Sequence, residues 1–390
     1  MTDQRLRELF QDLAETLPEG HSHADELWRR RTSGRARRRW TALAVLAVAA
    51  VVVVGITAFP QEVERGTVHT PGVSPTPSAP SRPVMDRAPA SADEAALPPL
   101  SAGLPERWAD LPVVDSASGP VLALAAFGDG RIYMMKAGGR VPLDVKLAES
   151  TDAAGNGGTP LKPNALAPDG TRAAFPQKDE VVVVDLVIGQ ARRYPVPGFN
   201  EVVLWRGEQL LVEQEAANYL LDLGTGQAER QPYKGFTGVA GYRDLRIVSP
   251  EAGGWTVLRE RGAGEVRLDV QNVTNEGSMP VGVLGNHGWQ RDDLVARSAL
   301  AHPEVAQGAD VVVVADIATG RVVRTLLLPW GPSGATRCGK SGCPVRGWIG
   351  HDTVIVESGK RLLGWNVDTG ALSRVAVLPE SVTAYSLRPG

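Results

Sequence analysis

Hydrophobic residues in this chain fall into three patterns, and each predicts a different kind of element. Leu6, Leu9, Phe10, Leu13 and Leu17 stand at i, i+3, i+4, i+7 and i+11, one apolar stripe along a helix that Thr2 or Asp3 can cap and that Pro18 and Gly20 end. Ser22 can open a second short helix through Arg31, carrying Leu27 and Trp28. Residues 41–59, TALAVLAVAAVVVVGITAF, contain no charge. At about 1.5 Å per residue they reach about 28 Å, close to the hydrocarbon thickness of a bilayer. From about residue 112 to 390, short β-branched runs alternate with turn residues every ten or so positions, the pattern of an all-β architecture.

The β region repeats. Short apolar strands at 132–135, 181–184, 219–221, 266–270, 311–314 and 362–365 each precede a polar turn ending in glycine, at Gly139, Gly189, Gly226, Gly277, Gly320 and Gly370. The glycines recur every 46 residues or so, about the length of a four-stranded propeller blade. In D-L-G-T-G at 222–226, D-I-A-T-G at 316–320 and N-V-D-T-G at 366–370, Asp or Asn can cap the turn and Gly can take a positive φ. The period predicts an all-β, six-bladed β-propeller over about 112–390. An open ring exposes sheet edges, so the final strand, whose A-Y-S-L-R-P-G at 384–390 is similar to the segment 164–170, is expected to complete the first blade beside residues 120–147.

Flanking composition sets the domain plan. Arg29, Arg30, Arg31, Arg35, Arg37, Arg38 and Arg39 precede the apolar run, Trp40 stands at its border, and Glu62 and Glu64 follow it. That asymmetry predicts a membrane-spanning helix with a cytoplasmic N-terminus and the C-terminal domain outside, in the cell membrane. A cleaved signal peptide competes, but it would need a 40-residue leading region, and no small-x-small site follows Thr57. Residues 60–105 hold ten prolines among Ser, Ala, Thr and Gly, a composition that favours an extended spacer. The plan is residues 1–40 as a cytoplasmic helix and Arg-rich tether, 41–59 as the span, 60–111 as a Pro-rich extracytoplasmic linker and 112–390 as the propeller.

Charge and chemistry narrow the function. With 41 basic and 44 acidic residues the 390-residue chain carries a net charge of −3, and no basic domain lies outside the N-terminal tract, so direct nucleic-acid binding has no electrostatic support. Cys338 and Cys343, both on the exported side, are expected to form a disulfide that stabilises by about 2 kcal/mol, with two buried thiols as the alternative. G-A-T-R-C-G-K-S at 334–341 satisfies the Walker A pattern in letters, yet Gly342, Cys343 and Pro344 follow, and no phosphate-cradling helix can start there. No nucleophile elbow, H-E-x-x-H helix or clustered His/Cys set appears, which leaves no catalytic residues, metal site or cofactor to assign and predicts a non-enzymatic protein. His69, His287, His302 and His351 are scattered. Trp205, Trp255, Trp289, Trp330, Trp348 and Trp365 are expected mostly to pack between blades, with one or two in the funnel able to stack on a sugar ring.

The segment N-A-L-A-P-D-G-T-R-A-A-F at 164–175 resembles the S-P-D-G-x-x-x-A-F inner hairpin of TolB-like and WD40-like β-propellers, and G-D-G at 128–130 is a fragment of the same motif. Short helix, arginine tract, span, Pro-rich stalk and propeller together resemble actinobacterial membrane-anchored proteins associated with extracytoplasmic-function sigma factors. That layout implies an anti-sigma-like regulator whose stripe of Leu6, Leu9, Phe10, Leu13 and Leu17 meets a cytoplasmic sigma factor. The zinc-type anti-sigma ligand set is missing, because the segment offers only His21 and His23 and no cysteine. The stripe can equally pair with itself or lie on the inner leaflet. Expected partners are the lipid bilayer, the sigma factor and an unknown envelope protein or glycan. The alternatives are an envelope scaffold without signalling and a propeller hydrolase or lyase.

Overall fold

The computed structural model describes residues 84–388 apart from 102, 249–256, 269–281, 284–286, 301–308, 332–336 and 339–341. The apolar stripe, the arginine tract and the expected span at 41–59 lie outside the described residues. Among those described, no helix is long and apolar enough to cross a membrane.

The described chain is all-β apart from the short 3-10 turns Asp93–Ala96 and Trp108–Asp110. Sheets follow one another along the chain as antiparallel meanders, in a propeller-like arrangement. Sheet I pairs Val382–Leu387, Ala123–Phe127, Ile132–Lys136 and Gly139–Pro142 in that order. Sheet II is the hairpin of Arg172–Asp185 and Ala191–Phe199. Sheet III holds Val202–Arg206, Gln209–Glu213, Tyr219–Asp222 and Ala228–Arg230. Sheet IV holds Leu245–Val248, Val257–Glu260 and Gly264–Arg267. Sheet V is seven-stranded, with Gly288–Arg291, Leu294–Leu300, Ala309–Asp316 and Val322–Pro329 as its meander. Sheet VI holds Val345–Ile349, Thr353–Ser358, Arg361–Asn366 and Leu372–Val377.

Six complete blades are not what these sheets form. Among the described residues, four of them, I, III, V and VI, reach four strands or more, so the propeller-like arrangement counts four blades there. In sheet II the expected successive strands run together as the fourteen-residue Arg172–Asp185, and only the isolated bridge Leu166↔Ala173 precedes it. Beside sheet IV, Val239–Ala240 pairs in parallel with Gly288 and Trp289 of sheet V.

Ring closure does occur as expected. The last strand lies antiparallel to Ala123–Phe127, with Leu387 opposite Ala123 and Tyr385 opposite Ala125. The glycine turns also form: Gly226, Gly320 and Gly370 have φ of 74°, 69° and 78°, and Asp222, Asp316 and Asn366 accept the amides of Thr225, Thr319 and Thr369. Buried alternate residues from adjacent sheets fuse into shared clusters, such as Val311, Val313 and Ala315 with Leu245, Ile247 and Leu258.

Residues 84–111 differ from the linker that their composition suggests, because the segment from Val84 is strapped over the outer strands. Val84–Arg87 runs parallel to sheet V, pairing from Arg324 to Leu327. Leu100 N–H donates to Arg374 O at 2.7 Å, and Arg374 N–H donates to Pro98 O at 2.8 Å. Trp108 is fully buried and meets Tyr385 edge-on at 5.8 Å. Glu94, also fully buried, accepts from Arg337 at 2.6 Å and Ser358 at 2.5 Å. These contacts offset the chain entropy that proline-rich sequence alone cannot recover.

Candidate functional site

Turns that follow the first strand of successive units converge on a cavity of about 330 Å³. Its wall comes from Leu166 and Pro168, Trp205, Ala240 and Tyr242, Trp289 and Asp292, and Trp348. Trp205, Trp289 and Trp348 occupy similar places near the ends of Val202–Arg206, Gly288–Arg291 and Val345–Ile349. They are only 5%, 4% and 2% exposed. The Trp205 indole N–H donates to Ala165 O and that of Trp348 to Trp289 O, both at 3.0 Å. The tryptophans therefore border the cavity yet leave no open face for a sugar ring. Tyr242, 66% exposed at the mouth, is the aromatic surface available there.

Positioning of Tyr242 depends on a buried guanidinium. Arg206 Nη1 donates to Gly241 O at 2.8 Å and Nη2 to Val239 O at 2.5 Å, tying sheet III to the next turn. Burial lowers the Arg206 pKa, against the opposing charges of Asp244 and Glu213. Gly241 has φ +146°, and a Cβ there would stand 2.6 Å from Gln290 Oε1, which already accepts the amide of Arg243. Only glycine lets the two turns approach so closely.

Polar chemistry in the cavity is sparse. Asn164 is 5% exposed, lines the cavity, and its Oδ1 has no hydrogen-bond partner. Asp292 has an unusual φ of +48°, and its Oδ2 lies 2.8 Å from Nδ1 of the exposed His351. At the far end of Gln209–Glu213, fully buried Glu213 accepts the amides of Thr237 and Gly238 and lies 2.9 Å from His287 Nε2. Burial pushes Arg297 down to about 10, against the opposing pull of the Glu213 charge. A ligand entering the cavity would thus meet a largely apolar wall, the unsatisfied Asn164 acceptor, and Gln290, Arg291 and Asp292 together on one side.

Cys338 and Cys343 form a disulfide. The tryptophans were named in sequence as residues that pack between blades; the convergence of Asn164, Tyr242 and Asp292, and the pairing of Glu213 with His287, were not visible, because they join residues up to 128 positions apart. His302, Trp255 and most of the Walker-like stretch lie outside the described residues. Leu6, Leu9, Phe10, Leu13 and Leu17 do as well.

No protein-family model matches the chain, and no curated protein matches it. Among solved structures, Kluyvelomyces marxianus Hsv2 is similar at 15% identity, covering 50% of this chain and 57% of its own, with a TM-score of 0.33. The chain thus spans just over half the length of that relative. The mitotic checkpoint complex structure is similar at 13% identity over 82% of this chain and 89% of that one, TM-score 0.39. BamB from Moraxella catarrhalis is similar at 13% identity over 70% and 77%, TM-score 0.33. Likeness at this level identifies neither a ligand nor a partner for the present chain.

Proposed function

We propose that the chain is a single-pass membrane protein that displays its propeller-like domain outside the membrane and binds an envelope protein or small ligand in the cavity bordered by Trp205, Trp289 and Trp348. The observation that carries this reading is the unpartnered Asn164 Oδ1 set in an apolar cavity of about 330 Å³ beneath exposed Tyr242. A buried acceptor without a partner costs about 1–3 kcal/mol, and a ligand N–H or O–H reaching it would recover that cost. Among the described residues the cavity lining offers one carboxylate, Asp292, and no Ser, Cys or Lys, which favours binding over hydrolysis.

In intact cells, a photo-crosslinker replacing Tyr242 should yield one defined adduct, and filling the cavity with Ala240→Phe should abolish it. An adduct indifferent to Ala240→Phe, or no adduct, defeats the reading. The apolar stripe favours a second element, in which the N-terminal helix holds a sigma factor in the cytoplasm. Residues 1–40 should then recover that factor, and the Leu9→Asp, Leu13→Asp version should not. Failure of this pull-down alone leaves a binding scaffold whose inner segment sets topology only.

A further inference from the structure

The Cys338–Cys343 disulfide sits against a buried carboxyl group. Asp310 lies in the valine-rich strand Ala309–Asp316 and is fully buried. Its Oδ1 has no hydrogen-bond partner. Its Oδ2 accepts the amide of Cys338 at 3.2 Å and lies 3.4 Å from Cys343 Sγ. A disulfide sulfur carries no proton, so the contact with sulfur is favourable only when the carboxyl carries one. Burial raises the Asp310 pKa, while the Trp330 side chain, the amides of Cys338 and Arg337 and the Arg337 charge pull the other way. The two sulfurs are unequal: Cys338 is partly exposed and Cys343 is fully buried. A five-residue separation also closes the kind of short loop in which a purely structural staple stabilises least.

We propose that Cys338–Cys343 is an exchangeable redox site in which Asp310 is the acid for the buried leaving sulfur. A thiolate of an external dithiol attacks Cys338 Sγ, and the Cys338–Cys343 bond breaks. The electron pair goes to Cys343 Sγ, which takes the Asp310 proton. The second thiol of the reductant, deprotonated by water, then attacks the mixed disulfide and releases Cys338 as a thiolate, which is protonated from solvent. The external dithiol ends as a disulfide, and the protein pair ends as two thiols. In that reduced state the Cys343 S–H donates to the Asp310 carboxylate, so the proton remains shared between the two groups. Reaction depends on thiolate character and access, and the exposed Cys338 supplies the access.

The test uses the full chain in its native state, with dithiothreitol as reductant and free thiols counted over time. Reduction should proceed without denaturant. At equal thiolate concentration, Asp310→Asn should slow it at least tenfold. The wild-type rate, corrected for thiolate, should fall as pH rises through the ionisation of Asp310, and the variant should lack that fall. Glutathione, a monothiol, should be trapped on Cys338 in the wild type, a readout that stands even if Asp310→Asn folds poorly. Resistance to dithiothreitol until denaturant is added, an adduct on Cys343, or an Asp310→Asn rate and pH profile matching the wild type would each overturn the proposal.

Discussion

Sheets V, VI and I end on outer strands that the 84–114 segment covers, whereas sheets II, III and IV end on outer strands that it leaves uncovered. Each covered strand joins buried apolar residues to one arginine, Arg324, Arg374 or Arg140. Val322–Pro329 contains Leu326, Leu327 and Leu328, all 2% exposed or less, and Leu372–Val377 contains Val375 and Ala376. Sheet I is closed in the same way, with Arg140 N–H donating to Pro112 O at 2.9 Å. The uncovered strands protect themselves: Ala191–Phe199 carries Arg192, Arg193, Pro195 and Pro197, and Ala228–Arg230 and Gly264–Arg267 are short and charged. Unpaired strand edges invite association unless blunted or covered. One half of the ring is blunted by its own residues and the other is covered by the strap.

The ring itself should give the largest effect. Truncation after Glu380 removes Val382–Leu387 and strips the strand paired with Ala123–Phe127, including Tyr385, the edge-on partner of Trp108. Loss of the cooperative thermal transition is expected; a melting curve unchanged by the deletion would contradict closure through this strand. Next comes the strap. Glu94→Ala leaves Arg337, whose side chain is 2% exposed, without its carboxylate and should cost about 3–5 kcal/mol in denaturant unfolding. Its counterpart in the uncovered half is Arg172→Ala, which breaks the two-pronged pair with Glu208 at 2.8 Å. Glu208 is 76% exposed, so that change should cost about 1 kcal/mol or less. Equal costs for the two variants would remove the distinction between the halves.

The difference between the halves also explains what could be read from sequence. Strands and turns depend on local pattern, so the Asp- or Asn-to-Thr turns at 222, 316 and 366 were legible; the pairing of the C-terminal strand with Ala123–Phe127, though distant in sequence, was legible from the likeness of 384–390 to 164–170 and from the need to cover sheet edges. The strap was not, because Pro89, Pro98, Pro99 and Pro105 carry the composition of a spacer, and its order comes from Asp86, Glu94 and Trp108 meeting residues more than 200 positions away. Blade number failed where a unit's strands merge in Arg172–Asp185, since a period counts turns and not hydrogen bonds. The three cavity tryptophans pack between sheets as expected, but their convergence on one cavity depends on tertiary packing that no spacing encodes.

Acidification should separate the halves by sign. In the strap, burial acts to raise the Asp86 pKa but is outweighed by hydrogen bonds from Arg324 and the Trp365 indole and by the Arg324 charge, so the folded value is lowered. The stability contributed by this group is present above the ordinary aspartate value of about 4 and is lost as pH falls through the lowered folded value. At the start of sheet III, burial and the charges of Asp152 and Glu215 raise Glu201, with Lys162 opposing. There the folded state binds the proton more tightly, so stability falls as pH rises through that window and returns on acidification. Amide exchange, corrected for its intrinsic pH dependence, should therefore accelerate at Met85 to Ala88 as pH falls below about 4, while Val202 to Leu204 hold or gain protection. If both segments lose protection together, acid acts on the whole domain, and the strap is no more separable from the ring than any other strand.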